Sequence, residues 1–393
     1  MKINVGIIFG GKSVEHEISI ISALQAVSNL NKEKYNPIPI YITKQNEFYS
    51  GEAMLNIAEY KDIPALLKKS HKITMFKGGK EVYIRRLDNK KLYGEKQTVI
   101  HVAFPIVHGL NVEDGSLQGF LRMLDVPFVG SDVLPSALAM NKYASKLLLK
   151  AHSIPVLDCF LMYANDYFEN EKQKLAELLE KFSFPLIVKP IDLGSSVGIS
   201  KANNEAELIA ALDLAYRFSQ QVIIEPAIVN IKEINCAVLG DDKNITVSEC
   251  EEPITAGDLL DYEAKYMSRQ TKKCTSASQG MASLKRRIPA DISSDMRSKI
   301  QRLAAQAFGV LGCNGVVRID FIIDTSNSEV YLNEVNSIPG SLAFYLFEPI
   351  GMKYEALLDQ LIRMALRRKR MREEILYSFE TNVLSMQKTF GSK

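Results

Sequence analysis

The chain has 393 residues, 47% of them hydrophobic and 24% charged, as expected for a globular protein with two or three domains. A net charge of +2 gives no reason to expect a nucleic-acid partner, and no apolar run approaches the roughly 18 residues that span a membrane. The five scattered cysteines show no disulfide or zinc spacing and the N-terminus is not a signal peptide, so we expect a reduced, cytoplasmic protein without a membrane partner.

The N-terminal third of the chain predicts an α/β unit with a parallel sheet, because apolar strands alternate with helices. Residues 43–97 are polar and irregular, and we interpret them as an insertion with short strands and a helix. The glycine turn at Gly10 and Gly11 lacks the dinucleotide fingerprint, which argues against a nicotinamide-dependent dehydrogenase. The predicted strands are Ile3–Phe9, Pro37–Ile42, Val99–Pro105 and Pro127–Gly130, and the predicted helices are Ile18–Leu30 and Gly115–Leu124.

His108 follows the strand Val99–Pro105, at the sheet edge where ligands bind in open parallel sheets. The alternative is a loop histidine that only bonds to backbone. Ser136–Ala151 predicts a single further helix, which carries Lys142 and Lys146.

A second unit begins with the apolar strand Phe182–Val188, which ends at Lys189. The following loop, IDLGSSVGIS, is rich in glycine and serine, so its N–H and hydroxyl groups could cover phosphates, with Lys189 as a point charge. The alternative is an ordinary connector. A helix at Glu205–Ser219 and strands at Val222–Glu225 and Ile234–Leu239 follow.

The polar, charged stretch Glu251–Thr275 indicates either a mobile lid or a solvated loop. A long helix is predicted at Pro289–Leu311. Tyr354–Arg370 predicts another helix, whose basic end is interpreted as a solvated terminus, and the chain after Tyr377 as poorly packed.

Between these helices, Val316–Ile323 and Val330–Val335 predict a β-hairpin. Arg318 and Asp320 share one face of its first strand, and Glu334 and Asn336 share one face of the second. If those faces coincide, oxygen ligands and a guanidinium converge on a hard cation and the phosphate it bridges. Apolar neighbours indicate that both faces are buried; the alternative is an exposed hairpin.

These stretches together resemble the D-alanine–D-alanine ligases of the ATP-grasp superfamily over nearly the whole chain. The resemblance rests on five motifs in the family's order: FGGKSVEHEISIISA, HGLNVEDGSLQGFL with VGSDVLPSALAMNK, IVKPIDLGSSVGIS, DYEAKY, and RIDFIID with LNEVNSIPG. It implies an ATP-grasp fold, α+β in the ATP-binding part, with an N-terminal Rossmann-like parallel-sheet domain. The implied division is 1–135, 136–228, 229–370 and a tail at 371–393.

The resemblance also implies the substrate residues. Glu15 would hold the amino group of the first D-amino acid, linked to Ser195 and to Tyr266. His108 would lie near that substrate. Arg318 and the N–H of Gly340 would stabilise the tetrahedral oxyanion.

ATP and two magnesium ions, with manganese as a substitute, are the implied cofactors. The implied metal ligands are Asp320, Glu334 and Asn336. The implied nucleotide contacts are Lys142 and Lys189 on the phosphates, Lys265 on the γ-phosphate, Glu225 and Glu233 on adenine and ribose, and the backbone of Ala227 and Ile228 on the adenine edge.

The implied reaction phosphorylates the carboxylate of one D-alanine and lets the amine of a second expel the phosphate, for peptidoglycan precursor synthesis. The implied assembly is a homodimer. The family pattern stops after Gly340, where Tyr345 takes the place of a serine that binds the second substrate. A related ligase with another amino acid or hydroxy acid as acceptor is therefore the alternative. A nucleotide-binding protein without catalysis is a third hypothesis, disfavoured because the charged set is kept together.

Overall fold

A computed structural model describes residues 2–87, 97–254 and 285–376. Its first sheet has seven strands in the order β6-β5-β4-β3-β2-β1-β7. The elements of this part are β1 Ile3–Gly10, α1 His16–Asn29, β2 Tyr35–Ile42, β3 Phe48–Ser50, α2 Ile63–Lys68, β4 His71–Gly78, β5 Glu81–Arg86, β6 Thr98–Ile100, β7 Val102–Pro105 and α3 Ser116–Met123.

The parallel part of this sheet is the one the sequence predicts. Strand β1 pairs in parallel with β2 on one side and with β7 on the other. The insertion does contain short strands and a helix, as predicted, but its strands continue the same sheet in antiparallel order. Pro127–Gly130 is not a strand; it makes one isolated bridge, between Phe128 and Ala103.

The central part holds a four-stranded antiparallel sheet, in the order β10-β9-β11-β8. Its elements are α4 Val133–Met140, α5 Lys142–Ala151, β8 Phe160–Tyr163, α6 Ala164–Glu169, α7 Glu171–Lys181, β9 Leu186–Pro190, β10 Ser200–Ala202, α8 Glu205–Ala215 and β11 Gln221–Pro226. The single helix predicted at Ser136–Ala151 is wrong. The chain breaks at Asn141, whose side chain accepts a hydrogen bond from Ala144 N–H at 2.8 Å and so caps α5.

The C-terminal part holds a five-stranded sheet, in the order β14-β13-β12-β15-β16. Its elements are β12 Ile231–Gly240, β13 Ile245–Pro253, β14 Arg286–Arg287, α9 Ser294–Val310, β15 Gly315–Asp324, β16 Glu329–Asn336 and α10 Tyr354–Glu373. The predicted hairpin is confirmed as β15 and β16. Helix α9 begins five residues later than predicted, because Ser293 caps it by accepting from Met296 N–H at 3.2 Å.

Helix α10 joins the C-terminal part to the N-terminal sheet. Leu357, Leu358 and Leu361 are buried in the same apolar core as Val5 and Phe104. Two further cores lie under the central and C-terminal sheets. The interpretation of the basic helix end as solvated is wrong for its packed side, where the basic residues meet partners on the N-terminal part: Arg368 with the carbonyls of Phe128 and Gly130, Lys369 with Asp125, and Arg372 with Asp132.

Most of the stretch interpreted as a lid, together with the tail after Leu376, lies outside the described residues. Within the described part of the chain, no helix is long and apolar enough to cross a membrane.

Candidate active site

The β15–β16 hairpin brings the predicted polar residues together. In the pairing of the two strands, Asp320 lies opposite Glu334 and Arg318 lies opposite Asn336. Arg318 donates two hydrogen bonds to Asp320, from Nε to Oδ1 at 2.7 Å and from a terminal nitrogen to Oδ2 at 2.8 Å. Asn336 donates to the same Oδ2 at 3.0 Å. The faces of the two strands therefore coincide, which was the condition for a cation site, and they hold two carboxylates, an amide and a guanidinium.

This polar row continues across two more strands. Asn235 on β12 lies opposite Asp320 on one side and opposite Glu251 of β13 on the other. Glu251, Asn235, Asp320 and Glu334 thus form one line across four strands. The polar face of the hairpin is largely buried, as expected, since the Arg318 and Asp320 side chains are only 12% and 15% exposed. The apolar side chains of the same strands fill the opposite face, because side-chain direction alternates along a strand.

The chemistry of the hairpin donors fits a hard divalent cation. Magnesium binds through one or two protein carboxylates and completes its octahedron with water and substrate phosphates. Asp320 and Glu334 provide two carboxylates, and Asn336 donates its amide nitrogen to Asp320 Oδ2. Within the described residues, no group of three or more His, Cys, Asp and Glu side chains is arranged to hold a metal ion. Amide oxygens, water or substrate phosphates would have to complete the coordination.

Lysines from two other elements meet one buried glutamate next to the hairpin. Lys189 of β9 lies 2.6 Å from Glu225 of β11, and Lys146 of α5 lies 2.8 Å from it. Lys189 also donates to Asn333 of β16 at 3.0 Å, which ties this cluster to the hairpin. Lys142 opens α5 and donates to the carbonyl of Leu193 in the glycine-serine loop.

The electrostatics of this cluster suit a polyanion. Burial raises the pKa of Glu225, but Lys189 and Lys146 outweigh it and hold the pKa below its ordinary value. Burial lowers the pKa of Lys142, and the neighbouring charge of Lys189 lowers it further, while Glu334 opposes both. Two buried ammonium groups, those of Lys146 and Lys189, lie against the single carboxylate of Glu225 and can share their charge with a phosphate.

The adenine end of the predicted site is only partly arranged as expected. Glu233 lies on β12, opposite Ile322 of β15. The N–H of Ala227 donates to the carbonyl of Pro185 at 2.9 Å, so it does not face a nucleotide while that bond persists. Ile228 follows it just beyond the end of β11.

Glu15 and Ser195 meet at the opposite end of the site, 180 residues apart in the chain. Ser195 donates its hydroxyl to Glu15, which stands immediately before α1. The loop bends sharply there, with φ of 55° at Ser195 and 60° at Ser196. Gly194 lies close to Glu15: a Cβ built on it would stand 3.1 Å from a carboxylate oxygen, so the Glu15 side chain would have to shift.

His108 is buried beside these groups and contacts Ser22 of α1 at 3.4 Å. Burial lowers its pKa, which favours the neutral imidazole. The same Ser22 hydroxyl accepts the N–H of Ser341 at 3.0 Å, next to Gly340. Helix α1 therefore holds both the histidine and the glycine turn.

Glu113 joins the histidine loop to the end of the hairpin. It accepts the N–H of Gly109 at 3.1 Å and the N–H of Ile338 at 3.0 Å. Burial raises its pKa to about 8, the charge of Glu15 adds to the rise, and the backbone donors oppose it. This carboxylate sets the spacing between the two halves of the site.

Tyr345 lies in the 3-10 stretch Gly340–Leu346 and closes the far end of the polar row. It is buried, and its hydroxyl donates to Glu251 at 3.3 Å. Glu251 also pairs with Arg286 at 2.8 Å and accepts from Asn235 at 2.9 Å. The guanidinium of Arg286 stacks over the Tyr345 ring, 3.9 Å from its centroid.

Sequence reasoning gave no role in the site to several of its residues, although it named Lys146 on a predicted helix. Lys146 had a signal, since it stands four residues after Lys142 and so on the same helix face. Asn235 also had one, as a polar residue inside an apolar strand. The overlooked set is Asn235, Glu251, Arg286, Asn333 and Lys146. Two predicted residues, Lys265 and Tyr266, lie outside the described residues.

Two family models match consecutive parts of the chain. The D-ala D-ala ligase N-terminus model matches residues 4–131, and the D-ala D-ala ligase C-terminus model matches residues 148–363.

Curated relatives match along nearly the whole length of the chain. A D-alanine–D-alanine ligase of Thermosipho melanesiensis is 37% identical over 98% of this chain and 99% of its own. A D-alanine–D-alanine ligase of Caldicellulosiruptor bescii is 36% identical over 96% of this chain and 99% of its own.

Solved structures share the architecture. The D-alanine-D-alanine ligase from Coxiella burnetii has a TM-score of 0.77 at 30% identity, covering 95% of this chain and 96% of its own. The VanG D-Ala:D-Ser ligase from Enterococcus faecalis has a TM-score of 0.74 at 30% identity, covering 93% and 100%.

Proposed function

Because this chain belongs to the D-alanine–D-alanine ligase family, we propose that it joins two D-alanine molecules in an ATP-dependent reaction that releases ADP and phosphate. The product would be a dipeptide precursor of peptidoglycan. The observation that carries the proposal is the Asp320, Arg318 and Asn336 cluster lying next to the buried lysines around Glu225. That arrangement suits transfer of a phosphoryl group to a carboxylate.

In the first step, the carboxylate oxygen of one D-alanine attacks the γ-phosphorus of ATP and ADP leaves. Glu15, held by Ser195, would bind the amino group of this substrate and fix its carboxylate toward the hairpin. Lys142 and Lys189 would neutralise the nucleotide phosphates. Magnesium, when bound through Asp320, Glu334 and Asn336, would supply charge neutralisation for the transferred group.

In the second step, the amine of the second D-alanine attacks the acyl carbon, and the C–O bond to phosphate breaks after a tetrahedral intermediate. Arg318 and the N–H of Gly340 would stabilise the oxyanion. For Arg318 to do so, it must share its donors between Asp320 and the substrate. Asp320 also accepts a hydrogen bond from Asn336, so it keeps a partner when Arg318 directs one of its donors to the substrate.

The test of this function is phosphate release from ATP by the purified protein. We expect release that depends on both D-alanine and magnesium, with D-alanyl-D-alanine identified by mass. Asp320→Asn should reduce the rate at least about 100-fold, since it removes a carboxylate ligand from the proposed magnesium site. Absence of D-alanine-dependent phosphate release at every concentration would overturn the proposal.

A second candidate keeps the chemistry and changes the acceptor. It is favoured by Tyr345, which stands where the family pattern has a serine for the second substrate, and by the similarity to a D-Ala:D-Ser ligase. A panel of D-amino and D-hydroxy acids, offered against D-alanine in one mixture, separates the two candidates. Preference for D-alanine over every other acceptor would exclude the second.

We further propose a homodimer, a cytoplasmic location, two metal ions per site, and the division into domains at 1–135, 136–228 and 229–370. Family membership supports the ATP and magnesium requirements. Mass measurement in solution and metal titration in the presence of ATP test the dimer and the two ions.

A further inference from the structure

A buried hydroxyl on helix α1 contacts the turn that carries the Gly340 N–H. Ser22 is fully buried near the middle of α1, and its Oγ accepts a hydrogen bond from the N–H of Ser341 at 3.0 Å. The same Oγ lies 3.4 Å from Nε2 of His108, which is also buried. One serine of the N-terminal part thus contacts both the histidine loop and the turn after the hairpin.

The turn needs such support because its backbone is strained. Ser341, Leu342 and Ala343 follow one another with φ of 53°, 52° and 49°, in the left-handed region that is unfavourable for residues with a side chain. Gly340 opens this 3-10 stretch, so its N–H makes no bond within the helix. The direction of that N–H therefore depends on the contacts that hold the residues on either side of it.

Glu113 holds the chain before Gly340. It accepts the N–H of Ile338 at 3.0 Å and the hydroxyl of Ser337 at 3.3 Å. These bonds fix the residues that lead from the hairpin into the turn. Fixing the orientation of the next peptide group requires a contact on its other side as well, and the bond from Ser341 to helix α1 provides it.

Ser22 and His108 join the two sides of the turn. His108 hydrogen-bonds to the backbone of Ile338 and also lies against Ser22. Burial lowers the pKa of this histidine and favours the neutral imidazole, which has one donor and one acceptor nitrogen. It can therefore donate to the Ile338 carbonyl and accept the Ser22 proton, while Ser22 accepts the N–H of Ser341. The hydrogen bonds of this chain run in one direction, from Ser341 to Ile338.

We propose that Ser22 is a positioning residue for the second step of the reaction. By fixing Ser341 on one side of the turn and His108 on the other, it keeps the Gly340 N–H directed at the oxyanion. The inference rests on the proposed ligase function and on the role given there to Gly340. The oxyanion exists only while the amine adds to the acyl carbon, so a misplaced N–H slows this addition more than it slows formation of the acyl phosphate.

The test compares the two steps within one reaction, with D-alanine, magnesium and ATP that carries heavy oxygen throughout its γ-phosphate, including the β–γ bridge. Each time the acyl phosphate forms and reverts to ATP, the bridging oxygen can exchange places with the other oxygens of the β-phosphate. Each completed second step instead yields one dipeptide. Phosphorus NMR measures the exchange and mass spectrometry measures the dipeptide, and the ratio of the two rates does not depend on the folded fraction.

For Ser22→Ala we expect the ratio of exchange to dipeptide formation to rise at least about tenfold, because a small displacement of a group that contacts the reacting atoms has a large effect on rate. The KM for ATP should be unchanged. Ser22→Cys keeps the volume of the side chain but replaces the hydroxyl by a weak acceptor, so its ratio should rise by a smaller factor.

Ser28→Ala is the matched control, because Ser28 lies on the same helix and donates to the carbonyl of Leu24 at 2.9 Å, the ordinary bond of a helical serine. Its ratio should equal that of the unmodified protein. If Ser22→Ala lowers exchange and dipeptide formation equally, or changes neither, the inference is overturned while the ligase function stands. If the unmodified protein shows neither D-alanine-dependent exchange nor dipeptide, the proposed function fails, and this inference fails with it.

Discussion

At the scale of single residues, the charged side chains of the site are held by one another. Glu225 is the clearest case, since it is 1% exposed and lies within 2.8 Å of both Lys146 and Lys189. A buried carboxylate is tolerated only with such partners, and each lysine is equally dependent on it. Glu225 therefore contributes to stability as well as to the nucleotide site.

We predict that Glu225→Gln lowers the free energy of unfolding by about 3 kcal/mol, because it leaves two buried ammonium groups without their counter-charge. Chemical denaturation measures the change. Glu207→Gln is the control: this carboxylate is exposed and bonds only to Asn203 and Asn204. Equal stability of the two variants would contradict the prediction.

At the scale of elements, a helix break places Lys142. The sequence pattern runs through Ser136–Ala151 without interruption, yet the chain forms α4 and α5 with Asn141 between them. Capping by Asn141 starts the second helix at Lys142, and the N–H of Lys142 donates to the carbonyl of Ile191 at 3.0 Å. The break thus docks the start of α5 onto the first residue of the glycine-serine loop, immediately after β9.

For this element we predict that Asn141→Ala costs about 1 kcal/mol of stability and also raises KM for ATP several-fold. The first effect is loss of the cap, and the second is displacement of Lys142. Asn204→Ala removes the equivalent cap of α8, where Asn204 accepts from Glu207 N–H at 3.0 Å. We expect the same loss of stability there with KM unchanged. An unchanged KM in both variants would show that the break does not position Lys142.

At the scale of the whole molecule, α10 fastens the C-terminal part to the N-terminal sheet. Arg368 donates to the carbonyls of Phe128 and Gly130, both at 2.7 Å, and its guanidinium lies over the Phe128 ring. The Phe128 and Gly130 carbonyls lie beside β7, in a segment that makes one isolated bridge to that strand. The arginine satisfies backbone acceptors that no strand partner reaches.

We therefore expect Arg368→Met to lower the free energy of unfolding by roughly 2 to 3 kcal/mol through the loss of two charge-assisted hydrogen bonds. Arg363→Met, on the same helix, removes an arginine that is 69% exposed and pairs with Asp359. In this variant the free energy of unfolding should fall by less than about 1 kcal/mol. Urea denaturation of the two variants, measured in parallel, tests this prediction. Equal losses of stability would refute the anchoring role of Arg368.

Periodicity and turn chemistry are local properties, and they predicted most strands and helices here. They also predicted the hairpin, with Arg318 and Asp320 on one face of the first strand and Glu334 and Asn336 on one face of the second, because side-chain direction along a strand has a period of two. The register of the two strands makes those faces coincide. The resemblance to known ligases added the lysines and the Glu15 anchor. It could do so because those residues lie in short motifs.

Only the tertiary structure decided which distant groups meet. The line from Glu251 through Asn235 to Asp320 depends on the register between β13, β12 and β15, which a single sequence does not specify. The stacking of Arg286 on Tyr345 and the docking of Arg368 of α10 onto the Phe128 and Gly130 carbonyls depend on how separate parts pack. The sequence determines which side chains are charged. Strand register and domain packing are long-range, and they determine which partner each charge meets.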